Sequence, residues 1–342
     1  MSDTTVTAPA EVLSQVQQWL EAGQGVALAS VVETFGSSPR PVGSLLAVSA
    51  AGEFAGSVSG GCVEGAVIEA AGELLAAGGG QRALEFGVSD QRAWSLGLSC
   101  GGAIRLHLEV VQHRALEPAL AACRARQPVV RVLEPGSGAS ALFGPEPGLD
   151  RVQQEFGPAA AEAAAAALAA DHSQALDVDG RRLLFQVLSP ARRLLVVGAG
   201  HIAQHLAPLG VATGFRVTVI DPRGAFATER RFPGIPLDRR WPAAALADPP
   251  LDHHCAVVTL SHDAKLDDPA LAAALDSDAF YIGALGSRRT QAGRAERLRA
   301  RGYDDTQLQR IHGPVGLDLG GREPAEIALA AMAEIVRVRH HR

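Results

Sequence analysis

Apolar residues recur at helical spacing at Val12, Leu13, Val16, Trp19 and Leu20, and Gly23 follows as a stop, which predicts an opening amphipathic helix. The run VALASVVET, Val26 to Thr34, then predicts a strand. Turn-rich FGSSPRPVG leads to a second strand in SLLAVS and, across AAGEFAG, to a further short one, the grammar of an α+β domain built from hairpins. Val67, Ala71, Leu74 and Leu75 share one face of a helix predicted to run to about Ala77. In AIRLHLEVV the period falls to two: Ile104, Leu106, Leu108 and Val110 are expected inward, and Arg105, His107 and Glu109 outward. PVVRVLEPGSG, ALFGPEPG and GRRLLFQVLSP read as strands and turns that complete this domain. Between them, PAAAEAAAAALAAD has high helix propensity but almost no contrast between its faces, and is expected to be a surface helix or spacer.

Near Pro190 the pattern changes. RRLLVVGAGHIAQHLAPLGVATGFRVTVIDPR is an apolar strand, a glycine turn, a helix and a second buried strand ending in Asp221. The strands CAVVTL and AFYIGAL alternate with helical segments, as parallel crossovers require. The expected fold class is therefore α/β: an N-terminal α+β domain over residues 1–188, a boundary near residues 186 to 192, and a C-terminal Rossmann-like doubly wound parallel sheet over residues 189–342.

Composition adds limits. At 342 residues, 47% hydrophobic and 20% charged, the chain is long enough for two cores. A net charge of −6 gives no positive field for nucleic acid or an anionic membrane surface, so neither is an expected partner. The start, MSDTTVTAPAEVLSQVQQWL, has no basic and apolar signal pattern, and no apolar run reaches membrane-spanning length, so a cytoplasmic location is expected. Cys62, Cys100, Cys123 and Cys255 form no CxxC pair and suggest neither a zinc site nor a disulfide framework, which leaves free-thiol chemistry.

The candidate chemistry gathers at glycine-rich turns. In SVSGGCVEGAVIEAA, Gly60 and Gly61 deliver Cys62 to the first turn of a helix, where the dipole and free amides favour the thiolate. Cys100 stands in SCGG before a strand, flanked by Gly101 and Gly102. Such glycine pairs let backbone approach a ligand closely. Glu64 lies two positions beyond Cys62, off its helix face, and is expected to point at a bound group rather than at the sulfur. Gly198, Gly200 and Ala203 fit G-x-G-x-x-A, with His201 opening the helix, and Asp221 stands where a carboxylate accepts ribose hydroxyls. Arg223 is placed for a 2′-phosphate, so NAD and NADP both stay open.

Gly286, Ser287, Arg288 and Arg289 follow a buried strand, Ser287 as a helix N-cap, and make either an anion pocket or a capped, solvated helix. His262 and Asp263 end another strand, as an acid–base pair or as the holders of a loop. His253, His254 and Cys255 are consecutive and cannot all face one metal ion. At the end of the chain, GPVGLDLGG reads as a ligand-facing loop or a plain turn. It precedes a helix opened by Pro324 with Glu323 and Glu326, carrying Ile327, Ala331 and Ile335 on one face and ending in Arg337 and Arg339.

In this order GSSPRPVGSLLAVSAAGEFAGSVSGGCVEGAVIEAA, SCGG, LLVVGAGHIAQHLAPLGVATGFRVTVIDPR, SHD, YIGALGSRR and HGPVGLDLGGREPAEIALAAMAEIV resemble the XdhC/CoxI family of xanthine dehydrogenase accessory proteins. The one departure is Ser261, where the family more often has Thr. The resemblance implies a maturation chaperone rather than a turnover enzyme. It would bind molybdenum cofactor (molybdopterin), assist its sulfuration by a cysteine desulfurase, and hand it to an apo-molybdenum hydroxylase client. Carried over, Cys62 is the residue expected to contact the molybdenum centre or its sulfur donor, Cys100 is a second candidate, and the two glycine pairs admit the pterin. Two other readings stand beside it: an NAD(P)-dependent thiol oxidoreductase using Cys62 and Cys100, and an NAD-sensing module with inert cysteines. The helical faces would suit a homodimer or the core equally well.

Overall fold

The computed structural model describes residues 9–36, 40–61, 63–87, 102–111, 113–145 and 151–341, with backbone only at 113–115. The chain divides into two units, Met1–Pro190 and Ala191–Arg342.

The first unit holds two antiparallel sheets. Strands β1 (Val26–Phe35), β2 (Leu45–Ser49), β3 (Phe54–Gly56), β4 (Gln81–Phe86) and β5 (Ala103–Val110) form a five-stranded sheet in the order β3-β2-β1-β5-β4. On one face, Ala27, Ala29 and Val31 of β1 pack with Leu46, Leu106 and Leu108 beneath Val67, Ala71 and Leu74 of the helix Glu64–Ala76. On the other, Val26 and Leu28 meet the helices Pro9–Glu21 and His113–Arg124 through Val12, Leu13, Val16, Leu116 and Leu120. Covered on both sides, β1 carries a nearly unbroken apolar run.

Strands β6 (Val129–Leu133), β7 (Ser140–Phe143), β8 (Gln174–Val178) and β9 (Arg181–Leu188) form the second sheet, ordered β7-β6-β9-β8. Two expectations fail here. His107, expected outward, is 1% exposed. Its face of β5 is covered by the second sheet, whose Arg131 reaches Glu109 at 2.5 Å. The alanine tract is not a surface spacer: the helix Pro158–Ala169 buries Ala160, Ala164 and Ala167 against Val130, Val132, Leu183 and Phe185. Alanine on every side removes the polarity contrast that marks a buried face, while its short side chain lets the helix sit close to the sheet.

The second unit is a six-stranded, all-parallel sheet of β10 (Arg193–Val197), β11 (Arg216–Ile220), β12 (Leu237–Asp238), β13 (Cys255–Thr259), β14 (Tyr281–Ala284) and β15 (Ile311–His312), ordered β12-β11-β10-β13-β14-β15. Leu194, Val196, Val217, Val219, Ala256 and Val258 face the helices His201–Ala212 and Pro324–His340. Leu195, Val197, Val257 and Ile282 face Pro242–Ala247, Ala264–Leu275 and Arg288–Arg299. The sheet is therefore doubly wound, and its winding reverses between β10 and β13, the place where such sheets open a crevice at their carboxyl edge. Among the described residues no helix is long and apolar enough to cross a membrane.

Candidate functional site

Beyond β3 the chain crosses Ser57–Gly61 to reach the helix that starts at Glu64. Gly60 and Gly61 adopt φ of +108° and +119°, a region that residues with a Cβ rarely enter. The loop closes around one carboxylate. Glu64 Oε1 accepts the Ser57 hydroxyl at 2.9 Å and the amides of Val58, Ser59 and Gly60 at 3.2, 2.9 and 3.0 Å. Its Oε2 accepts the Ser59 hydroxyl at 2.5 Å and the Gly61 amide at 2.9 Å. Partial burial opposes the charge, but these hydroxyls and amides prevail and hold the carboxyl well below the usual carboxylate range.

Expected to face a bound group, Glu64 faces its own loop instead. As the first helical residue it reaches backward to the amides that precede the helix, where the dipole also favours an anion. Arg40, from the GSSPRPVG turn, donates Nε to the Ser57 carbonyl at 3.2 Å and is held in the field of Glu64. No periodicity marks Arg40 in the sequence; its only signal there is that of a lone arginine inside a turn of small residues. Cys62, Cys100 and Gly101 lie outside the described residues. Both neighbours of position 62 are pinned, the Gly61 amide to Glu64 and the Val63 amide to the Ser59 hydroxyl at 3.3 Å. Gly102 is half-buried just before β5.

In the second unit the carboxyl edge gathers three turns, after β10, β13 and β14. Gly198 has φ of +102°, and a Cβ there would fall 2.7 Å from the Ser261 amide nitrogen, so glycine is what lets the first two turns meet. Gly200 caps the helix His201–Ala212 with no crowding closer than 3.9 Å, His201 is exposed, and Ala203 is buried.

Asp221, expected to accept ribose hydroxyls, meets the protein's own donors here. It is fully buried, with Oδ2 accepting the Ala199 amide at 2.8 Å and Arg223 Nη2 at 2.7 Å, and Oδ1 accepting Arg223 N and Nε at 2.9 Å each. Burial opposes its charge, yet the Arg223 guanidinium and the Ala199 amide keep the carboxyl below its ordinary range. Arg223, expected at a 2′-phosphate, lies 4.5 Å over the Phe226 ring while holding Asp221. Two residues of chain suffice for the guanidinium to fold back onto the acid in a two-point pair.

His262 follows β13 with φ of +59° and is exposed. Its turn is held from below: Ser261 Oγ donates to Asp267 Oδ1 at 2.6 Å and accepts the Asp263 amide at 3.0 Å. Asp263 caps the next helix by accepting the Lys265 amide at 2.9 Å, a loop-holding use of its carboxylate. Ser287 caps Arg288–Arg299 by accepting the Thr290 amide at 3.2 Å. Before it, Gly286 at φ +131° leaves room for Thr290, and Arg288 is exposed. Cys255 is buried under Arg193, with Nη2 3.0 Å from its sulfur, and burial pushes its thiol up. Among the described residues no group of three or more histidine, cysteine or acidic side chains could hold a metal ion.

Residues 19–87 match the XdhC and CoxI family, and residues 194–335 match the XdhC Rossmann domain. The chain is 30% identical over 323 residues to a molybdenum cofactor insertion chaperone, PaoD, of Escherichia coli K12, covering 94% of this chain and 86% of that one. It is 29% identical to a protein of Bacillus subtilis 168 described as a probable subunit of xanthine dehydrogenase, covering 94% and 95%. A solved structure described as a xanthine dehydrogenase from Bacillus halodurans has a TM-score of 0.73 at 22% identity, over 98% and 97% of the two chains, and so shares the fold.

Proposed function

Because this chain belongs to the XdhC and CoxI family, we propose that it is a molybdenum-cofactor maturation factor: it holds the cofactor, assists its sulfuration, and delivers it to an apo-molybdenum hydroxylase of the xanthine dehydrogenase type. The observation that carries this reading is the 30% identity, along 94% of the chain, to a protein named for inserting that cofactor. In this reading Cys62 is the contact to molybdenum or to its sulfur donor. Thiolate is a soft ligand of the right kind, and the loop on either side of position 62 is tied down by Glu64 and Ser59. Arg40, beside that loop, supplies a cation suited to the pterin's phosphate, and Gly60, Gly61, Gly101 and Gly102 supply clearance. Cys100 is a second thiol for the same work. A cysteine desulfurase is the sulfur source, the client and this chain share the cytoplasm, and a homodimer is the proposed assembly.

For the second unit we propose a phosphate-bearing ligand at the carboxyl edge, with Gly198, Gly200, His201, His262, Gly286, Ser287 and Arg288 around it. NAD(P) fits this edge poorly as it stands, because Asp221 has its acceptor positions taken by Ala199 and Arg223.

The test is anaerobic purification of wild type and Cys62→Ala from cells that make molybdenum cofactor, with molybdenum and oxidised pterin measured per chain. Metal and pterin in the wild type and their loss in Cys62→Ala is the expected result. Absence from both proteins, with NADH-dependent disulfide reduction, would replace this reading with the thiol oxidoreductase.

A further inference from the structure

GPVGLDLGG and the helix after it have no role in the function proposed above. The residue just before this segment, His312, ends β15 at the carboxyl edge of the sheet. Its Nδ1 stands 3.4 Å from Oε1 of Glu334, on the helix Pro324–His340. Glu334 is 7% exposed. Its Oε2 accepts the Tyr281 hydroxyl at 2.6 Å and the Gly316 amide at 2.9 Å, and Arg337 Nη2 lies 3.6 Å from Oε1. The Tyr281 and His312 rings stack with centroids 4.7 Å apart.

Burial opposes charge on Glu334, but His312, Tyr281 and the Gly316 amide outweigh it and hold the carboxyl down to about 2. The Tyr281 hydroxyl stays protonated, because burial and the neighbouring carboxylate both push it up. A carboxylate opposite Nδ1 selects the ring orientation that aims Nδ1 at Glu334. With Nδ1 so engaged, the chemistry of His312 falls to Nε2, in a side chain that is 31% exposed. The charged and titratable groups around the ring are Glu334 from the helix, whose Oε1 also lies near Arg337, and Tyr281 from β14. The next residue, Gly313, is packed so that a Cβ would fall 2.5 Å from Gln291 Cδ, which sets this turn against the helix Arg288–Arg299.

We propose that His312 is an anion-binding residue: its Nε2–H, backed by Glu334, takes a phosphate oxygen of a ligand at the carboxyl edge of the second unit. This deepens, and rests on, the reading that this edge receives the phosphate-bearing part of a cofactor. A carboxylate-backed imidazolium discriminates by protonation: it holds an anion while Nε2 carries its proton and releases it when that proton leaves.

The test is an NMR titration of the full-length protein with inorganic pyrophosphate at about pH 6 and about pH 8, either side of an ordinary imidazole pKa. The His312 ring signal is identified by its loss in His312→Gln. A saturable shift of that signal is expected, with affinity lower by about tenfold or more at the higher pH. Glu334→Gln should weaken binding severalfold while circular dichroism stays native. Arg337→Gln should reduce the affinity at both pH values yet leave its pH dependence in place. A His312 signal indifferent to pyrophosphate in folded protein, or unchanged affinity in folded Glu334→Gln, overturns the proposal. The probe contains neither molybdenum nor pterin, so a failed cofactor assay and a failed titration are separate results.

Discussion

Glu64→Gln should loosen the loop around position 62 while leaving the helix behind it in place. The carboxylate accepts six hydrogen bonds from Ser57–Gly61. An amide can keep its oxygen toward the four donors on Oε1, but it then turns an NH2 group on the Ser59 hydroxyl and the Gly61 amide. The hydroxyl can rotate to accept; the Gly61 amide cannot. Losing the charge also reduces the four retained bonds from about 1.5–3 to about 0.5–1.5 kcal/mol each, a gross loss of about 7 kcal/mol once the Gly61 bond is included. Gly60 and Gly61 are exposed and can rehydrate, so about half of that should remain, ~3–4 kcal/mol. The assay is hydrogen exchange at the amides of residues 58–61, where protection should fall by roughly several hundredfold.

The pH dependence has a definite sign. A carboxyl held below its unfolded value stabilises the fold at pH above the ordinary glutamate pKa of about 4.3, and that contribution is lost as pH falls toward the folded-state value. The gap between wild type and Glu64→Gln should therefore be constant near neutrality and shrink below about pH 4. Wild-type exchange rates at those amides in the variant would refute the reasoning that the loop is built on this carboxylate.

Arg223→Ala should free two acceptor positions on Asp221 and tighten NAD(H) binding by about tenfold in calorimetry, since a displaced ion pair no longer competes with ribose hydroxyls; equal binding would mean that the pair does not gate the crevice. Gly198→Ala combines φ of +102° with a Cβ 2.7 Å from the Ser261 backbone, and should destabilise the second unit by more than ~2 kcal/mol in urea unfolding. Ala164→Leu should cost about 1–3 kcal/mol by overpacking the sheet, while Ala165→Leu, one position on and exposed, should stay within about 0.5 kcal/mol. Equal melting temperatures for those two variants would restore the surface-spacer reading.

Period and punctuation in the chain determine which segments are strands or helices. The apolar run at Leu194–Val197, the glycine at Gly198 and the cap at Ser287 are local signals, satisfied within a few residues, and they lead to a doubly wound parallel sheet before any contact is known. The order of the family motifs was legible for the same reason. The partner of each polar side chain was not, because it depends on what lies across space. His107 follows a strand's outward rhythm and is buried by a second sheet; the alanine helix hides its buried face because every face is alanine; and Arg131 meets Glu109 from another strand. Glu64 and Asp221 have the right residue types at the right positions for ligand contacts. Which of the protein's own donors each carboxylate meets was decided by the tertiary structure, which places the loop amides around Glu64 and the Ala199 amide and Arg223 around Asp221 within hydrogen-bond reach.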